Sequence, residues 1–125
     1  MQPIYQNSLI RIEVESSEIP WLKVFTQEPY KEFSETPALV KIEIWRVMDI
    51  IEKEMIAFFN PDKINLASFG NYVPHVHWHI MARFRHDSYF PEPMWGVKQR
   101  KGTYKLDGFD TFITHLQAHL EVKNG

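Results

Sequence analysis

At 125 residues the chain is long enough to bury one sizeable core and short for two, so a single domain over residues 1–125 is expected. Hydrophobic residues at 44% and charged residues at 24% are the proportions of an ordinary soluble domain. A formal net charge of −2 argues against bulk electrostatic binding to nucleic acid, and the lack of cysteine excludes disulfides, thiolate metal sites and a cysteine nucleophile. No apolar run approaches the roughly 18 residues of a membrane span. Met1 to Tyr5 shows no basic region followed by an apolar run, so no signal peptide is read there. A soluble cytoplasmic protein without a membrane or nucleic-acid partner is the expectation.

Ile4-Tyr5-Gln6 is a short apolar start, and Asn7-Ser8 signals a turn. From Leu9 to Glu15 the chain alternates, with Ile10, Ile12 and Val14 on one face and Arg11, Glu13 and Glu15 on the other. That is the two-residue period of a strand. Pro20 holds Ile19 extended, and Trp21 to Phe25 reads as a third strand. Gln27 to Pro37 is an irregular connection. Thr36-Pro37 predicts a helix start, with the hydroxyl at N-cap and proline at N1. The helix is expected to reach Phe59, with Val40, Ile44, Val47, Ile51, Met55 and Phe58 as its core stripe. Leu39, Ile42, Trp45 and Ile50 lie off that stripe. Either the helix is buried on more than one side or its second face meets a partner subunit.

Asn60-Pro61-Asp62 is a turn, and Lys63 to Phe69 alternates as a strand. It is expected to pair as a hairpin with a histidine-rich strand that follows Gly70–Pro74. Phe84 to Gly102, with Pro91, Pro93 and Gly96, reads mostly as loop, with a short extended piece near Tyr104. A last helix is predicted over Phe109–Val122, with Phe109, Phe112, Ile113, Leu116 and Leu120 as its stripe. The order β-β-β-α-β-β-α predicts an α+β fold, an antiparallel sheet covered by helices.

Three of the six histidines, His75, His77 and His79, fall within five residues and alternate with Val76, Trp78 and Ile80. On a strand, Val76, Trp78, Ile80 and Ala82 face a core, while His75, His77, His79, Met81 and Arg83 face the other way. Same-face neighbours stand about 6.5–7 Å apart along a strand, so three histidines in a row cannot all reach one ion at bonds near 2 Å. A metal would take two of them plus a carboxylate or His86, and no acidic residue lies close in sequence. The imidazoles can instead divide the labour. One attacks phosphorus, a neighbour assists the leaving oxygen, and another fixes the attacking ring's tautomer. The plain alternative is three satisfied histidines on a polar sheet face.

His75-Val76-His77-Trp78-His79-Ile80-Met81 resembles the His-x-His-x-His-x-x motif, with hydrophobic x, of the histidine triad (HIT) superfamily of nucleotide hydrolases and transferases. Gly70-Asn71-Tyr72-Val73 is similar to that family's phosphate-binding turn, and Asn65 falls near a family Asn or Gln that contacts substrate. The resemblance implies a HIT-like fold: an antiparallel meander sheet of about five strands with one long helix and a C-terminal helix. It implies that His77 attacks the α-phosphorus of a nucleotide or dinucleotide and that water hydrolyses the nucleotidyl-histidine. His79 would hydrogen-bond the phosphate and help the leaving group, and His75 would orient the site. Gly70, Asn71 and Tyr72 would help bind phosphate. The resemblance implies a homodimer and needs no cofactor or metal. Candidate substrates are dinucleoside polyphosphates, nucleoside phosphoramidates and adenylylated small molecules. A nucleotide-binding regulatory module and a two-histidine metal enzyme are the alternatives.

This chain departs from the pattern in places. Many members carry a further histidine near the third strand, and aligning Ile19-Pro20 places Tyr30 there, so that support is absent or supplied otherwise. Asn71 is shorter than the common glutamine, and Tyr72 replaces a small hydroxyl residue. Arg83, in phase with the histidines, is a candidate contact for a distal phosphate, as is the Lys98, Arg100, Lys101 cluster; solvated surface charge is the alternative. Trp95 could stack on a base, cover a partner subunit's site or pack into the core. His115 and His119 on the last helix, and His86, are expected at the surface.

Overall fold

The computed structural model describes residues 2–122. Five strands form one antiparallel sheet: β1 (Tyr5–Gln6), β2 (Ile10–Val14), β3 (Trp21–Thr26), β4 (Lys63–Ala67) and β5 (His77–Arg83). Two helices complete it, α1 (Ala38–Phe59) and α2 (Phe109–Val122). The spatial order is β1-β2-β3-β5-β4. The first three strands follow one another directly. The connection through α1 then carries the chain past the centre to the edge strand β4, and the β4–β5 hairpin returns β5 to the middle. β5 therefore has a hydrogen-bonded neighbour on each side, which fixes its register twice over.

The alternation seen in the sequence decides which face α1 covers. Ile10, Ile12, Leu22, Val24, Ile80 and Ala82 are buried against Val40, Ile44, Val47, Ile51 and Met55 of α1. Phe112, Leu116 and Leu120 of α2 close the same core. The opposite face carries the histidines. The helix starts one residue later than expected, because Pro37 keeps an extended ψ of 151° and serves as N-cap, its carbonyl accepting from Val40 and Lys41 N–H. The Thr36 backbone N–H instead closes a 3-10 turn, Phe33–Glu35, by donating to the Phe33 carbonyl. Tyr104 lies in irregular chain, where its ring stacks on Phe84 at 3.8 Å. No helix among the described residues is long and apolar enough to cross a membrane.

Candidate active site

Strand β5 begins at His77, so two of the three histidines stand on the strand and His75 lies in the turn before it. This corrects the expectation of three imidazoles in one row. The chain at 75–76 is drawn aside by other bonds: Val76 N–H donates to the Tyr30 carbonyl, and Thr26 N–H donates to the Val76 carbonyl. The His75 ring turns toward β3, where Nε2 lies 2.7 Å from the Thr26 carbonyl and 3.0 Å from its hydroxyl. A carbonyl only accepts, so that Nε2 carries a proton.

The same logic fixes the other two rings. His77 Nδ1 lies 2.7 Å from the His75 carbonyl and must donate to it. In the neutral ring Nε2 is then bare, and it has no partner among the described residues. Phe25 of β3, opposite His77 in register, stacks on its ring at 4.7 Å and 18°. His79 is set the other way round. Trp21 Nε1–H donates to His79 Nδ1 at 3.0 Å, which leaves the ring's proton on Nε2. The two rings are 5.0 Å apart. Burial lowers the His79 pKa to about 4, helped by His77 and Lys23 and opposed by Glu15. One ring thus presents a nucleophilic lone pair, and its neighbour presents an N–H.

Both rings open on a cavity of about 340 Å³ whose walls include Phe69, Tyr72, Val73 and Trp95. Its rim is the Gly70–Val73 turn. Gly70 has φ of 82°, a left-handed conformation that glycine takes without strain. The backbone N–H groups of Asn71, Tyr72 and Val73 donate to no partner among the described residues, and all three residues are exposed. Trp95 stands with its ring 4.8 Å from His79 and 5.2 Å from Trp21. Trp95 is not the packed core residue the sequence also allowed: it stands at the cavity wall, about half exposed.

Arg83 and Asn65 are not at this cavity. Arg83 shares the histidine face but lies beneath the loop that follows it, 1% exposed and paired with the fully buried Asp87. Its Nε and Nη2 donate to the Asp87 carboxylate at 3.0 and 3.1 Å, Nη2 also to the Glu92 carbonyl at 2.8 Å, and Nη1 to Asn65 Oδ1 at 2.9 Å. Four of its five N–H groups are so engaged and the side chain is buried away from the cavity, so the expectation of a distal-phosphate contact gives way to a loop anchor. Burial alone would raise the Asp87 pKa. The Arg83 bond and the N–H groups of Phe84, Tyr89 and Phe90 outweigh that and hold it below the usual carboxylate value. The loop wrapped on this pair is what carries Trp95 to the site. Asn65 lines a neighbouring cavity instead. Lys98, Arg100 and Lys101 are exposed, and Arg100 caps the Asp87 carbonyl at 2.7 Å.

Tyr30 reaches the site through its backbone carbonyl, which accepts from Val76 N–H, and the support on His79 comes from Trp21. Trp21 and Phe25 were missed in the sequence. Their signal was the alternation of β3, which puts Trp21, Lys23 and Phe25 on one face, opposite Met81, His79 and His77. His115 and His119 are exposed as expected, His119 pairing with Glu54 at 3.0 Å. No cluster of three or more His, Cys, Asp or Glu side chains suited to a metal ion occurs among the described residues.

A search of curated proteins finds no match. Among solved structures, a histidine triad protein from Bradyrhizobium japonicum is 26% identical with a TM-score of 0.77, covering 94% of this chain and 88% of that one. A histidine triad protein from Marinobacter aquaeolei is 24% identical with a TM-score of 0.77, covering 96% and 88%. A histidine triad (HIT) protein from Sinorhizobium meliloti is 24% identical with a TM-score of 0.75, covering 93% and 87%. The HIT domain family model matches residues 4–86, which run from the first strand through the histidine strand to the start of the Asp87 loop. With that match over most of the sheet and over the paired imidazoles themselves, this chain belongs to the HIT-domain family, the histidine triad proteins.

Proposed function

We propose that this protein hydrolyses nucleotides at the α-phosphorus through a nucleotidyl-histidine formed on His77. The observation that carries the reading is the His77 Nδ1 hydrogen bond to the His75 carbonyl, which leaves Nε2 with a lone pair at the cavity. As Nε2 attacks, positive charge grows on the ring, and the carbonyl dipole at Nδ1–H stabilises it. Phe25 holds the ring plane, so the attack direction is set before substrate arrives. His79 Nε2–H donates a hydrogen bond to a phosphoryl or leaving oxygen. The free N–H groups of Asn71, Tyr72 and Val73 suit the remaining phosphate oxygens. Phe69, Tyr72 and Trp95 offer rings on which a nucleobase can stack.

The assembled form is proposed to be a cytoplasmic homodimer. Its support is the outer face of α1, where Leu39, Ile42 and Trp45 are exposed at 71, 62 and 47%. Apolar residues clustered like this mark a contact surface.

The reading is tested with α-phosphate-labelled compounds of three kinds: a dinucleoside polyphosphate, a nucleoside phosphoramidate and an acyl nucleotidate. After a base quench, an acid-labile protein adduct is expected from at least one, and His77→Ala is expected to abolish it together with turnover. Binding without adduct or product from any of the three would make the protein a nucleotide-binding module instead.

A further inference from the structure

A second cavity, of about 330 Å³, adjoins the histidine cavity. Phe69 and Trp95 stand between the two and belong to the walls of both. Their rings meet edge to face at 4.8 Å. The Trp95 ring lies 4.8 Å and the Phe69 ring 6.4 Å from the His79 ring. A ligand in one cavity is therefore walled off from a ligand in the other, yet both touch the same pair of rings.

The second cavity is lined by Met81 of β5, by Met94 of the long loop and by the edge strand β4. Its side-chain hydrogen-bonding groups are donors, apart from the weakly accepting thioethers. Asn65 Oδ1 accepts from Arg83 Nη1 at 2.9 Å. A guanidinium only donates, so the amide is fixed in that sense and Nδ2 is the group left over. Lys63 uses one ammonium proton on the Ile64 carbonyl at 3.0 Å and has no carboxylate partner among the described residues. The acid next to it, Asp62, is turned to Arg85: it accepts the Arg85 backbone N–H at 2.7 Å, and Arg85 Nε lies 3.5 Å away. No carboxylate or hydroxyl side chain lines the cavity among the described residues. One unopposed cation beside one amide donor matches a singly charged group with acceptor oxygens, which is a carboxylate. A phosphate, with more charge, calls for further cations. The thioethers of Met81 and Met94 beside the rings of Phe69 and Trp95 suit a flat apolar body, because sulfur packs well at ring edges.

We infer that the second cavity is a separate binding site for a small aromatic carboxylic acid, whose presence tunes the nucleotide site through the Phe69–Trp95 wall. The carboxylate meets the Lys63 ammonium and Asn65 Nδ2–H, and the aromatic body packs among Met81, Met94 and the wall. Trp95 is about half exposed, so its ring keeps freedom that a nucleobase stacked on its other side must remove. An occupant of the second cavity removes part of that freedom beforehand, and the nucleotide then binds more tightly. Linkage makes the effect mutual. The tuning rests on the histidine cavity as the nucleotide site; the carboxylate site does not.

The test is calorimetry with 3-phenylpropionate as the probe, beside its neutral amide, 3-phenylpropanamide, and the cationic 3-phenylpropylamine. A Kd of about 1 mM or tighter is expected for the acid, as suits a ligand of that size. The amide should bind about fivefold more weakly and the amine not at all. Lys63→Met should bring the acid down to the affinity of the amide. Asn65→Asp keeps an oxygen for Arg83 and turns the free donor into an acceptor, so it should abolish binding of the acid and admit the amine. In a second titration, nucleoside monophosphates of each common base are measured with and without saturating 3-phenylpropionate. Binding about fivefold tighter or more is expected for the base the protein prefers. An acid that does not bind at about 10 mM, or that binds Asn65→Asp as well as the wild type, overturns the carboxylate site. An acid that binds as expected while nucleotide affinity stays unchanged overturns the tuning. If no nucleotide binds in either condition, the nucleotide reading of the histidine cavity falls and the tuning with it, and the acid titrations still decide the carboxylate site.

Discussion

Each imidazole of the site owes its role to a single partner of fixed hydrogen-bonding sense. A carbonyl at His77 Nδ1 makes Nε2 the nucleophile, and an indole N–H at His79 Nδ1 makes Nε2 the donor. His79 also links the site to stability. Its pKa falls from 6.5 to about 4 on folding, through burial first and then His77 and Lys23. The unfolded chain therefore binds a proton that the native chain refuses between those values. Stability from this residue is complete above pH 6.5 and is lost as pH falls toward 4, to a total of about 3 kcal/mol. Denaturant unfolding at a series of pH values should show His79→Gln removing about one proton from the uptake on unfolding in that window. An unchanged pH slope would mean that His79 titrates alike in both states. The three histidines were visible as residues from the start. Which nitrogen each one uses was not, because the deciding groups are a backbone carbonyl and a tryptophan 58 positions away in sequence.

At the scale of elements, β5 and the loop after it form one construction. Arg83 ends the strand, Asp87 sits four residues on, and three N–H groups from Phe84, Tyr89 and Phe90 converge on that carboxylate. Glu18 reaches across to Ser88 N–H at 2.9 Å and ties the loop to the start of β3. Removing one partner of a buried pair leaves the other charge without compensation, at about 3–5 kcal/mol. Arg83→Met should therefore lower unfolding free energy by that much and loosen Trp95 from the site. A loss under about 1 kcal/mol would show that the pair is not the loop's anchor. The alternation of β2 and β5 and the stripes of α1 and α2 were legible, since period alone marks them. The long loop carried no period. Its prolines and glycine marked irregular chain, but its fold depends on a buried ion pair that reads in sequence as two ordinary charges.

At the scale of the molecule, the sheet separates two jobs. One face buries Ile10, Ile12, Leu22, Val24 and Ile80 under α1, and the other supports the paired cavities. The expected β-β-β-α-β-β-α order was legible because each element had its own signal. The register of β3 against β5 was not, and with it went the half of the site built from Trp21 and Phe25. The outer side of α1 gives the molecule a third surface. Sedimentation at micromolar concentration should find a dimer, and Ile42→Glu should give a monomer by charging the centre of that patch. A wild-type monomer would remove the dimer.

His77 as the nucleophile is tested most directly by rapid base quench of single-turnover reactions with the three labelled nucleotide classes, followed by mapping of the adduct. A nucleotidyl group on Nε2 of His77 is predicted, forming and decaying at rates that account for product release. Product formed with no adduct on His77, or at an undiminished rate in His77→Ala, would contradict it.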